Sequence, residues 1–267
     1  MALALVSLLA AQPVLAHEFW LMPMAFRVDA PSLLRVQTLN GERFRGSVLP
    51  RHEEHIRRFE VLDPTGTTLD VLGRSGHPVS MTRVAIPGMH RVVYESVENP
   101  LTLEAKEFEK YLFEERLSDI IDTRAELGET DSPGREVYVR CAKSLVVVGA
   151  TDSDEPIDTP SRLPLEIVLQ GTRKAEVKNA LTAVVLFDET PAPWHRVVAI
   201  SSERPDARHE LYTDADGMIT FVPEIGGAWL LTTITMKRLE DRGDADWKSW
   251  WSSVTFEVAD DDTADAG

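Results

Sequence analysis

Short alternations of apolar and polar residues, broken by turn signals, run through residues 17–100. Leu33, Leu34 and Val36 lead to Asn40-Gly41. Phe59 and Val61 lead to Asp63-Pro64-Thr65-Gly66. Val84 and Ile86 lead through Pro87-Gly88 to Val92-Val93-Tyr94. A period of two between such breaks predicts strands with one face buried, and their regular spacing predicts a β-sandwich. Residues 103–127 change character. They hold no Gly or Pro, are rich in helix formers, and place Phe108, Leu112, Ile120 and Ile121 near one face. One helix or two short ones, stopping at Gly128, is the expectation. Strand patterning returns at 134–149. Residues 150–162 are acidic and proline-bearing, and read as a linker or domain boundary. From Leu163 a second set of alternations follows, with Asp214-Ala215-Asp216-Gly217 as a hairpin turn.

The fold class expected is therefore mainly β: two β-sandwich-like domains with a helical insert in or after the first. The first domain is placed at 17–150 and the second, an immunoglobulin-like or transthyretin-like sandwich, at 163–258. Residues 259–267 form an acidic tail.

The first sixteen residues stand apart from this pattern. They are uncharged, carry an apolar run from Leu3 to Ala11 that Pro13 ends, and place Val14 and Ala16 as the small residues of a cleavage site. They read as a secretory signal peptide, although its start lacks the usual Lys or Arg. The run is shorter than the about 20 residues that span a bilayer. No later segment qualifies, so a processed protein without a membrane span is expected. Cleavage after Ala16 would expose His17, whose α-amine and imidazole can both bind one cation.

Of 267 residues, 28 are Lys or Arg and 44 are Asp or Glu, a formal net charge of -16. That balance opposes nucleic-acid binding and electrostatic membrane attachment. A single cysteine, Cys141, excludes a disulfide framework and cysteine-rich metal sites, and its strand context reads as a buried small hydrophobe. No nucleophile elbow or phosphate loop is present. The densest polar cluster is Arg51-His52-Glu53-Glu54-His55. On a helical turn His52 and His55 share a face and can hold a cation. Pro50 and the neighbouring Arg57 and Arg58 fit a solvated loop as well. His90 follows a turn, and His77, His195 and His209 lie in polar loops; each fits a surface position. Trp247, Trp250 and Trp251 either form a stacking platform or pin a terminal strand to the core.

Several segments in order resemble a bacterial periplasmic family of two-part β proteins. It is known as a domain of unknown function and often associated with nickel uptake. They are Ala16-His17-Glu18-Phe19-Trp20-Leu21, then Tyr111 to Leu117, Gly134-Arg135-Glu136, and Arg140 to Leu145. Leu163-Pro164-Leu165-Glu166, Thr213 to Gly217, Gly227-Ala228-Trp229-Leu230-Leu231 and Asp246-Trp247 to Phe256 follow. The resemblance implies a periplasmic or cell-surface location and a link to nickel or cobalt supply. His17 matches the family's N-terminal histidine. Thr235-Met236 departs from the His-Met that relatives often carry, which removes one possible ligand.

The leading expectation is a periplasmic accessory protein, without catalysis, that binds nickel, cobalt or copper and works with a membrane metal transporter. The candidate ligands are His17, His90, His52 and His55. The alternative is a structural or interaction module that captures a protein or glycan partner through its sandwich edges and the Trp247–Trp251 region. A third reading is a copper histidine brace built on His17.

Overall fold

The computed structural model describes residues 18–150, 156–171, 177–241 and 243–259. The first half contributes β1 (Glu18–Pro23), β2 (Arg27–Val28), β3 (Ser32–Glu42), β4 (Arg45–Leu49) and β5 (Ile56–Leu62). β6 (Thr68–Asp70), β7 (Leu72–Gly73), β8 (Val79–Val84), β9 (Gly88–Ser96) and β10 (Asn99–Leu103) follow. Helices α1 (Ala105–Glu114) and α2 (Ser118–Glu126) then lead to β11 (Gly134–Val148). The second half holds β12 (Leu165–Gln170), β13 (Leu181–Phe187), β14 (Thr190–Pro191) and β15 (Arg196–Ser201). It ends with β16 (Arg208–Tyr212), β17 (Met218–Phe221), β18 (Gly227–Arg238) and β19 (Trp247–Val258).

The chain is mainly β, as expected, and its two sandwich-like halves share one sheet. Ten strands run in the order β16-β15-β18-β19-β11-β9-β5-β6, with β10 and β2 also on β11. The join is the parallel pair β11–β19, in register from Glu136 opposite Trp247 to Ser144 opposite Thr255. A five-stranded sheet, β1-β3-β8-β7 with β4 on β3, covers one end. Between them lies a core of Leu21, Leu34, Val36, Val61, Val92, Ala142 and Val146. A four-stranded sheet of β12, β13, β14 and β17 covers the other end. Its core includes Leu165, Ile167, Val185, Ala199, Trp229, Leu231 and Phe256.

Successive side chains of β11 point to opposite faces. Ala142, Val146 and Val148 serve the first core, and Leu145 the second. By the same alternation Arg140 faces the first half and Lys143 the second. Lys143 is buried between Asp158 (2.6 Å) and Glu166 (2.8 Å). Those two carboxylates hold its ammonium charged against the burial that opposes it.

The structure differs from the sequence expectations in four places. The chain does not turn at Asn40-Gly41: β3 continues to Glu42, and Arg43-Phe44 form the hairpin, with φ of 54° and 58°. Phe44 is held there by the Trp20 ring, 5.5 Å away, and by the Glu18 carboxylate, which accepts its N–H at 3.2 Å. Gly41 instead serves close approach, since a Cβ there would sit 2.1 Å from the Arg45 carbonyl oxygen. The helical segment begins later, because Asn99–Leu103 pairs with β11, and of the two expected forms it takes that of two short helices, parted around Arg116 at φ 60°. Asp214 to Gly217 do turn, with Asp214 accepting the Asp216 and Met218 N–H groups at 2.9 Å each. The flanking strands do not pair: β16 joins β15 and β17 joins β13, so the turn is a corner between sheets. Finally, residues 156–162 are not a free linker, for Ile157, Asp158 and Ser161 are all buried. The signal peptide, His17, residues 151–155 of the expected boundary and the tail from 260 lie outside the described residues.

Candidate functional site

The open end of the first half holds a cavity of about 370 Å³ between β1, β3 and β8 on one side and β5, β9 and β11 on the other. Its size falls in the range of small-ligand sites. Phe19, Phe59 and Tyr94 form an aromatic wall, with Tyr94 5.0 Å from Phe19 and 5.3 Å from Phe59. Burial pushes the Tyr94 hydroxyl up to about 12, so it remains a neutral donor. It donates to the His55 carbonyl at 3.4 Å.

The segment after β4 supplies the rim. Glu53–His55 form one turn of 3-10 helix, with the His55 N–H donated to the His52 carbonyl at 3.1 Å. The turn brings the His52 and His55 rings to 5.9 Å between centroids, and both line the cavity. His52 Nδ1 lies 3.4 Å from the Glu54 carboxylate. Arg51 is committed: it forks onto Glu53 at 2.6 and 3.1 Å and donates to Ser80 at 3.1 Å. That fork holds the Glu53 carboxyl below its ordinary range.

Arg140 lies at the floor. Its residue is 8% exposed and lines the cavity. The guanidinium sits over the rings of Tyr138 (5.0 Å) and Trp251 (4.8 Å). Its backbone N–H is donated to Ser96 Oγ at 2.9 Å. Its buried Nη1 has no hydrogen-bond partner among the described residues.

Of the residues expected to bind metal, the fold brings His52 and His55 together. His90 is elsewhere. Ile56 pairs with Ser96 on β9, and His90 lies six positions back along that strand, roughly 20 Å at the rise of a strand. It is fully buried, not a surface turn residue, with Nδ1 3.3 Å from the Gly88 carbonyl; burial lowers its pKa. His17 lies outside the described residues. Among the described residues no group of three or more His, Cys, Asp or Glu is placed to hold a metal.

Cys141 is buried, and that burial pushes its thiol up to about 12. Trp247 is buried in the core under the helices. Trp251 stacks on Tyr111 at 5.8 Å and 15°, and Trp250 meets the edge of Phe187 at 4.9 Å. These rings pin β19 and do not stand free as a platform. Sequence reasoning missed the aromatic wall and Arg140. The one available signal was a cation interrupting a buried strand.

A second polar cluster lies beside Glu18. Arg196 reaches Glu115 at 3.4 Å and Glu210 at 2.9 Å, and Arg208 lies 3.8 Å from Glu18. The space there is about 20 Å³, room for little more than one water.

A search of curated proteins finds no match. Among solved structures, the D0-D1 domain of intimin is 12% identical, with a TM-score of 0.21, over 90% of this chain and 97% of that one. Trypsin-activated alpha-2-macroglobulin from Escherichia coli is 9% identical, with a TM-score of 0.23, over 92% of this chain and 16% of that one. Likeness of this degree decides neither architecture nor activity. Among the described residues no helix is long and apolar enough to cross a membrane. The family model described as a domain of unknown function, DUF4198, matches residues 14–237, and the chain belongs to that family.

Proposed function

We propose that this chain is a non-catalytic periplasmic binding protein that takes up a transition-metal cation, nickel, cobalt or copper, for a membrane transporter. The observation that carries the reading is the His52–His55 pair, 5.9 Å between ring centroids at the cavity rim. A cation bound at about 2.1 Å to one nitrogen of each ring spans such a separation. Imidazole donors suit nickel, cobalt and copper. Glu54 beside His52 Nδ1 would fix the ring and leave Nε2 for the metal. Two protein donors leave positions open to water, to the amine and imidazole of His17, or to an acceptor protein. An open site suits transfer better than a closed one.

The test is calorimetric titration of the chain beginning at His17 with nickel, cobalt, copper and zinc. It is run beside a His52→Ala/His55→Ala variant and a form with one extra residue before His17. The double variant is expected to lose roughly tenfold or more in nickel affinity. The extended form reads the share owed to the terminal amine. Nickel affinity unchanged by the double substitution would contradict the assignment.

A further inference from the structure

In a chain of net charge -16, no Asp or Glu stands among the described residues that line the cavity. Among its cations Arg51 is neutralised by the Glu53 fork. Arg140 has no such fork: the buried Glu136 and Glu115 act on it only from beyond ion-pair distance, and among the described residues its buried Nη1 has no hydrogen-bond partner. An unpaired guanidinium is costly to bury, and a buried donor is normally satisfied by protein, water or ligand. The Tyr138 and Trp251 rings pack against it without accepting hydrogen bonds from its in-plane donors. Above it stand the Phe19, Phe59 and Tyr94 rings, with the Asn40 and Asn99 amides also on the lining.

We propose that the cavity binds a small organic carboxylate with a flat apolar body, its carboxylate on the Arg140 guanidinium and its body against the Phe19–Phe59–Tyr94 wall. A guanidinium fork and a carboxylate match in geometry as well as charge. The volume of about 370 Å³ admits a ring system and excludes a folded peptide. This site goes beyond the metal reading and does not need it, because Arg140 at the floor and His52/His55 at the rim are separate groups of the same cavity.

The experiment uses the whole chain stripped of metal with a chelator. Calorimetry with phenylacetate and indole-3-acetate is compared with the neutral amides phenylacetamide and indole-3-acetamide. At least one carboxylate is expected to bind saturably, at least roughly tenfold more tightly than its amide. Arg140→Met, which keeps most of the packing volume, is expected to abolish that binding in a chain that still folds. Because the chain is stripped of metal, binding there separates this site from the metal site. The proposal is overturned by absence of carboxylate binding, by equal affinity for acid and amide, or by undiminished binding in folded Arg140→Met. If Arg140→Met fails to fold, Arg140→Lys decides: it keeps the charge but loses the fork, so unchanged affinity overturns the proposal.

Discussion

Glu136 shows how much of this site's surroundings is settled by single buried groups. Tyr111 donates to its carboxylate at 3.3 Å and Ser249 Oγ also donates, while Oε2 has no partner among the described residues. Burial outweighs these donors and pushes the carboxyl up to about 7. The folded state therefore holds a proton that the unfolded chain releases near its ordinary value of 4.5. The stability this contributes is complete below that value and is lost as pH rises through about 7. Glu136→Gln should be more stable than the parent at pH 8 by ~1–3 kcal/mol, and the gap should close toward pH 4. Thermal melts of both proteins across that range check it; a gap independent of pH would contradict it. At this scale the sequence was informative about local pairs. The three-residue spacing of His52 and His55 put both on one face, and the structure does so on a single 3-10 turn. It was uninformative about Arg140, because β11 is buried on both faces from Val139 to Val146, so that no alternation marks which polar side chain looks into a cavity.

The elements were legible where a period or a composition break was strong. Residues 103–127 became two helices, and Cys141 lies buried on a strand. Legibility failed where a long-range contact decided the local conformation. Asn40-Gly41 carries a turn signal, yet the hairpin forms three residues on because Trp20 and Glu18 of β1 fix Phe44. The stretch before β12 reads as a linker because it is acidic and proline-bearing. One of those acids, Asp158, is instead committed with Glu166 to Lys143. This clamp fastens β12 and the segment before it to β11. Lys143→Met would leave two carboxylates buried without their cation and should cost ~3–5 kcal/mol. Replacing Asp158 by Asn and Glu166 by Gln in the same chain should recover part of that loss. Chemical denaturation of the parent, the single variant and the triple variant checks the order; equal midpoints for all three would contradict it.

For the whole molecule, patterning along the chain disclosed two β regions but not that they are built on one sheet. A parallel pair between residues about a hundred apart leaves no local trace. With β11 and β19 in register over nine residue pairs, the second core takes in Leu145 of β11, and the helices of the first half pack on Ile234, Met236 and Trp247 of β18 and β19. The full chain should therefore unfold in one cooperative transition, with fluorescence and far-ultraviolet dichroism midpoints coinciding. Two separated transitions would contradict the shared sheet as the organising element. The same arrangement places the cavity at the open end of the first half. There the 3-10 turn can carry its histidines outward while β11 holds Arg140 from below.

The central claim, a metal held between the rim histidines, is tested most directly by nuclear magnetic resonance of the histidine side chains during titration with cobalt. The account predicts that the His52 and His55 signals broaden or shift first and together, saturating at one cation per chain. His90, buried roughly 20 Å along β9, should be left largely unaffected at that point. Early broadening at other histidines with His52 and His55 undisturbed, or no saturable change at all, would contradict it.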